Sequence, residues 1–415
     1  MRVHLFGGVL AYDYLLAGWL RQAGVDAHYF FNIKYAEQDY PWWEDPAFTL
    51  TEMPTWCHYY PFRLPYRYRG RLDAAGRRFV HEFNRDADVL LVVGDGLFLA
   101  QHYVRPYALW SCGYDIESAV PAPVSLRGAL SKLMGGPEPV RLQRAVNRRH
   151  VRQCLAGAKL IMTVMDFQIP TYLAWTGVAT PAFSVPMPLD CDRYQPVLDA
   201  QLVARYADSS CVFFLPTRHS YGSHSTNDKG ADKVIRAFAS ALDRLPRGTR
   251  LVLVEKGERV SESKASAAAL GLGPHVDWIP ELRKAELKHW YSLPNAVILD
   301  QFPNEATLDP RLHAALRRRG GRGSIFAEAM CMGRPLISNL GTEWVEEHRP
   351  PLAWNACSET EIAEALVDAA TLTLAQRIDG GAANRDWARR EIDWPQVMGR
   401  YIELLELVVQ GKAIR

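Results

Sequence analysis

"CVFFLPTRHSYGSHSTNDKGADKVIRAFASAL", residues 211 to 242, places an uninterrupted apolar run, a loop of glycine, serine and asparagine, and a run with helical spacing in that order. An apolar run this short and continuous, closed by a polar loop and a helix, predicts a strand covered on both faces, as in parallel sheets. The unit recurs downstream in "TRLVLVEKG" (249–257), "VDWIP" (276–280), "NAVILDQF" (295–302) and "RPLISN" (334–339). Upstream, "RVHLF" (2–6) leads through glycines into "DYLLAGWLRQAG" (13–24), a helix that Gly24 closes. "ADVLLVVG" (87–94), "PYALWSCG" (106–113) and "AKLIMTV" (158–164) continue that series. Between the two series, "FSVPMPLDCDRYQPV" (183–197) turns to proline and aspartate, as a linker does. The expected architecture is α/β, with two Rossmann-like doubly wound parallel sheets facing a cleft. The expected boundaries are residues 1–190, 191–392 and a closing helix in 393–415, from "WPQVMGRYIELLELVV", that packs back on the first domain.

Composition narrows the classes. The chain has 415 residues, 48% hydrophobic and 23% charged, enough for two domains with their own cores. A formal charge of +2 argues against wholesale binding of nucleic acid. Seven cysteines form no CxxC pair, so neither a disulfide scaffold nor a zinc cluster is expected. In "MRVHLFGGVLAYDYLLAGWL" Asp13 breaks the apolar run and no small-residue cleavage site follows, unlike a signal peptide. No stretch reaches the roughly 18 apolar residues of a membrane span. A cytoplasmic protein is expected, with peripheral contact at the inner face of the membrane left open.

Parallel sheets bind ligands beyond the carboxyl ends of their strands, which directs attention to the loops there. Arg218 and Lys229 straddle the polar loop after "CVFFL". Two cations among backbone donors suit a diphosphate; a solvated loop with Lys229-Gly230 opening a helix is the plainer account. Gly7 and Gly8 follow the first strand, where glycine admits either a phosphate or a tight turn. In "GGRGSIFAEAMCMGRPLIS" (320–338), with Ser324 as N-cap, Glu328 falls at N4, one place past a capping box. Its neighbours Ser324 and Cys331 are small, so the carboxylate is expected to face a hollow rather than a cation, which suits a ligand hydroxyl. Asp115 follows a first-half strand, where an aspartate can cap the next turn. "DAD" (86–88) precedes its strand and reads as a turn, and His219 with His224 could hold a metal but sit in a loop that needs none. The arginine and tyrosine stretch at 58–71 reads as a solvated, proline-broken loop, although a membrane or nucleic-acid patch has the same composition.

Taken in order, "KGADKVIRAF", "GLGPHVDWIP", "NAVILDQF" and the block "GxxGxxxxEAMCMGRPLI" resemble the C-terminal half of a GT-B glycosyltransferase of the retaining family 4 type. "VPMPLDCDRYQP" is similar to that family's usual linker. The resemblance implies that Arg218 and Lys229 grip the donor diphosphate, and that Glu328 holds the ribose. It further implies that Gly323, Ser324 and Ile325 present helix-start amides to phosphate, that Ile279 and Pro280 border the base, and that Gly7 and Gly8 cross the cleft. The common pattern has a second glutamate eight residues before Glu328. Here that position is Gly320, as in a subgroup marked by "DQ" and "GxxGxxxxE". Residues 303–319 look like an insertion, with Glu305 and Asp309 as candidates for the lost contact.

The expected function is therefore transfer of a sugar from a UDP- or GDP-linked donor to an acceptor on the N-terminal half. Arg218, Lys229 and helix amides would stabilise the leaving diphosphate, and Asp115 would stand near the reaction. The family implies retention of configuration, no cofactor and no essential metal. An epimerase or phosphorylase on the same fold is a second enzyme reading, although no segment invites a pyridoxal lysine. A catalytically inactive nucleotide-sugar-binding subunit is the alternative of another class, and a nucleic-acid glycosylating enzyme a further one.

Overall fold

The computed structural model describes residues 1–8, 11–33, 39–63, 72–111, 149–169, 176–221, 228–304, 308 and 310–412. The chain divides into two compact units, Met1–Val185 with Val397–Arg415, and Pro186–Gln396.

In the first unit the strands are β1 (Arg2–Phe6), β2 (Asp26–Asn32), β3 (Cys57–Tyr60), β4 (Val89–Val93), β5 (Tyr107–Ser111), β6 (Leu160–Thr163) and β7 (Ala182–Ser184). They form a parallel sheet of order β3-β2-β1-β4-β5-β6-β7. The apolar strands are covered on both faces; every residue of β4 and β5 is buried. Phe6, Phe30, Phe62, Phe79 and Phe83 make an aromatic core on one of them. The helix Trp394–Gln410 closes the chain, and its Tyr401 meets Trp110 of β5 edge to face with centroids 6.4 Å apart. The "DAD" triplet is a turn into β4: Asp86 has φ 59°, and Asp88 accepts the Arg2 backbone N–H at 2.7 Å. β2, β3 and β7 were not anticipated, and β7 runs into the start of the stretch read as linker.

The second unit carries β8 (Val212–Leu215), β9 (Arg250–Glu255), β10 (Val276–Pro280), β11 (Ala296–Leu299), β12 (Leu336–Ser338) and β13 (Ala353–Asn355). This sheet is also parallel, of order β10-β9-β8-β11-β12-β13. The helix Ala231–Ala241 packs its buried face, including Val234, Ile235 and Phe238, on this sheet with the helix Glu359–Thr371. Lys233 is buried on that helix and donates to the carbonyls of Pro303 at 2.7 Å and Cys357 at 2.9 Å. Two loops are thereby tied to one ammonium, which keeps it hydrogen-bonded out of water.

Strand order reverses between β1 and β4 in one sheet and between β8 and β11 in the other, and a parallel sheet opens its ligand crevice at such a switch point. At the first, β1 runs into Gly7 with φ 146°, and a Cβ there would sit 1.5 Å from the carbonyl oxygen of Val93. The ends of β1 and β4 therefore approach too closely for any side chain, which explains the glycine without a ligand. Gly8 follows at φ 80°. Gly7→Ala is expected to lose more than about 2 kcal/mol of stability, because it adds a backbone collision to the strain of positive φ. At Gly24, φ 87° with nothing within 4 Å of an added Cβ, alanine should cost only about 1 kcal/mol. Urea denaturation of both variants checks the difference, and equal losses would refute it.

Candidate functional site

The second switch point collects charge. After β8 the chain passes Arg218, and after residues 222–227, which lie outside the described residues, it returns at Lys229. The Phe302 backbone N–H donates to the Lys229 carbonyl at 3.1 Å, so this return is fixed to the end of β11. The Lys229 ammonium donates to Gln301 Oε1 at 2.5 Å, and Gln301 Nε2 donates onward to the Gly321 carbonyl. One buried amide thus ties the lysine, the end of β11 and the glycine loop together.

Asp300, next to Gln301, is 3% exposed. Burial raises its carboxyl from 3.8 to about 6; the Lys229 cation, the Ser338 hydroxyl and the Gly323 backbone oppose that rise, while Glu328 adds to it. Lys229, Gly323 and Glu328 are therefore brought around one carboxyl. Asp300 and Gln301 were quoted in the sequence only as a signature, without roles. Their place directly after a continuous apolar strand at a switch point was the available signal.

Glu328 lies on the helix Ser324–Cys331. The N-cap is Gly323, not Ser324, so Ser324 and Ile325 are the first two helical residues and Glu328 stands at the fifth, further from a capping box than expected. No side chain caps this helix, and Gly323 to Ile325 are half-buried. Its first amides keep the positive end of a helix uncovered by any capping side chain. The expectation that Glu328 faces a hollow is overturned. Lys284 Nζ lies 2.5 Å from Glu328 Oε1, with side chains 16% and 3% exposed. The small neighbours on its own helix were read correctly, but the cation arrives from the helix Lys284–Ser292, 44 positions earlier in the chain. Nothing in the sequence linked the two. Tyr291 of that helix is buried beside them, its hydroxyl pushed well above its ordinary range first by burial and then by the charge of Glu328. Lys284 also lies 5.8 Å from the centre of the Tyr194 ring.

Ile279 and Pro280 end β10, Ile279 buried and Pro280 exposed, and the chain passes from them into the Lys284 helix. Arg218 is half-buried; its carbonyl accepts the Ser220 backbone N–H at 3.0 Å. The carboxyl of Glu258 is held low first by hydrogen bonds from its own backbone and Ser220, and then by Arg218. Gly7 and Gly8 belong to the first unit. Asp115, His224, Glu305 and Asp309 lie outside the described residues. His219 is buried, bonded through Nδ1 to the Ser263 hydroxyl at 2.7 Å, and burial lowers it to about 4.

Gly320 follows the helix Pro310–Arg319, which occupies most of the stretch read as an insertion. It has φ 69°, and an added Cβ would lie 2.0 Å from the Leu340 carbonyl oxygen. Gly341 is its counterpart, with a Cβ there 2.3 Å from the Gly320 nitrogen. The two backbones touch, so no acid can stand at position 320 without parting them.

No family model matches the sequence. No curated protein matches it either. Solved structures do resemble the fold. A glycosyltransferase from Rickettsia africae matches with TM-score 0.63 and 11% identity, over 99% of each chain. The sucrose-phosphate synthase of Thermosynechococcus elongatus matches at 0.64 and 14%, over 99% of this chain and 100% of its own. HepE of Anabaena, solved in complex with UDP-glucose, matches at 0.64 and 13%, over 98% and 99%. The fold is that of the GT-B glycosyltransferases, two parallel-sheet α/β domains.

Two outcomes test this geometry. Asp300 has a folded value above its unfolded one, so its contribution to stability is present below about pH 4 and is lost as pH rises towards about 6. Asp300→Asn should remove that dependence, gaining up to about 3 kcal/mol on wild type between pH 4 and 7. Urea midpoints across that range measure it, and a pH-independent difference refutes it. Gly320→Ala should lose about 2 kcal/mol or more, and Gly320→Glu no less; either variant melting with wild type would show that the contact yields.

Proposed function

We propose that the chain is a glycosyltransferase of the hexosyl-transferring type, which takes its sugar from a nucleotide-activated donor bound by the second unit. One observation carries this reading: at the switch point of that unit, Lys229, Asp300, Glu328 and the uncapped start of the helix Ser324–Cys331 converge. Support comes from the fold, since HepE of the same fold is solved with UDP and with UDP-glucose.

In this reading Lys229 meets the diphosphate, held in place by Gln301, and stabilises the charge that develops on it as the sugar departs. Amides of Ser324 and Ile325 approach the same phosphates. Glu328 accepts the ribose hydroxyls; the Lys284 pair fixes its rotamer and offsets the cost of burying its charge. Arg218 assists from the end of β8, Ile279 and Pro280 border the base, Gly7 and Gly8 serve the donor from the loop after β1, and the first unit binds the acceptor. Asp115 takes the part of the polar catalytic group that the family resemblance implies. Transfer proceeds with retention, the leaving phosphate acting as base, and needs neither cofactor nor metal. UDP and GDP are the nucleotides to try first.

Calorimetric titration of UDP and GDP against Lys229→Ala and Glu328→Ala tests the assignment. Loss of a charge-assisted bond should weaken binding roughly 10- to 100-fold in each; unchanged affinity in both would sink it. The glycine at 320 favours one other reading, a nucleotide-sugar-binding subunit without activity. Slow hydrolysis of the bound donor in the absence of acceptor would decide against that.

A further inference from the structure

The second sheet has an opposite edge, at the amino ends of its strands, where a cavity of about 470 Å³ opens. Ser210 and Asn295, which line it, come just before β8 and β11, the two strands whose other ends carry Arg218 and Asp300. Arg377 lines it too, and is only 3% exposed. Its Nη2 donates to the Ser210 carbonyl at 2.5 Å and its Nη1 to the Ala369 carbonyl at 3.4 Å. Its Nε–H has no acceptor, the single cationic nitrogen so placed among the buried side chains described. None of the ion pairs among the described residues includes Arg377.

A buried guanidinium bonded only to carbonyls keeps its full charge, and that charge is costly out of water unless an anion answers it. Lys233 is also buried on carbonyls, but Arg377 lines a cavity and keeps an N–H unused. The start of the 18-residue helix Leu374–Glu391 borders the same space through Thr373 and Leu374. Its positive end adds to the field of the arginine. The remaining wall is mostly apolar, with Val203 and Leu293, and Leu374 at the lip is 46% exposed.

We propose that this cavity binds a small organic anion, with its acid head towards Arg377 and the helix start and its apolar body against Val203, Leu293 and Leu374. The volume fits a metabolite-sized ligand. Carboxylates and phosphate monoesters share the required chemistry. The site goes beyond the donor-binding reading and does not depend on it.

Thermal unfolding of the full chain with hexanoate, hexyl phosphate, inorganic phosphate and 1-hexanol tests the proposal. One or both alkyl anions, at about a hundredfold above their Kd, should raise the Tm by ~5 °C, and which of them does so names the head group. Hexanol should not, and inorganic phosphate should do less. The rise should vanish in Arg377→Gln, which removes the charge. It should vanish also in Ala207→Phe, which fills the exposed rim and leaves the arginine and the core alone. Saturating UDP should leave the rise unchanged. Equal stabilisation by hexanol, survival of the effect in Ala207→Phe, or loss of it with UDP would each overturn the proposal.

Discussion

Charge buried at the carboxyl edge of the second sheet is the constraint on which this site depends. The carboxylates of Asp300 and Glu328 leave water there, while the half-buried Lys229 and Lys284 bring the positive charge that answers them. Removing one partner of a buried pair costs about 3–5 kcal/mol, a large part of the roughly 5–15 kcal/mol that holds a whole domain. The loops that bring these groups therefore cannot drift without penalty. Gln301 shows how tightly they are tied, since its one amide engages the lysine after β8 and the glycine loop before the Glu328 helix. The far end of that helix is fixed as well, with Cys331 Sγ 2.7 Å from Cys191 Sγ and the Cys331 carbonyl accepting from Arg385.

How legible this was in the sequence follows from range. β4, β5, β8, β9 and β11 are built on continuous apolar runs, and burial on both faces leaves such a run little other reading. β2, "DAHYFFN", mixes Asp26 and His28 into its start, and β3 is a four-residue edge strand; β7 and β13 have three residues each. Short edge strands carry too little burial to leave a pattern. Local features of the site fared similarly: the helix bearing Glu328 was visible, but its cap was misplaced by one residue. Serine is the stronger capping residue by propensity, yet the chain is extended at Gly323 and already helical at Ser324. Lys284 was invisible because its contact with Glu328 is tertiary.

Gly320 joins the two levels. From the sequence it was an acid missing from a pattern, a matter of one side chain. In the fold it is a backbone contact, because Gly320 and Gly341 occupy space that a Cβ on either would need. The helix Pro310–Arg319 is held to the same region by ion pairs of Arg318 with Glu343 and Arg319 with Glu347, each at 2.6 Å. These pairs are partly exposed, and each contributes little by itself. Their role is to keep the helix end seated where the glycines meet. Under the proposed function, the phosphate and ribose ends of a donor find charged partners at this edge, whereas position 320 offers the sugar only backbone. Discrimination among sugars then falls to other groups, since a close backbone contact can exclude a bulky substituent but supplies no carboxylate for a hydroxyl to engage.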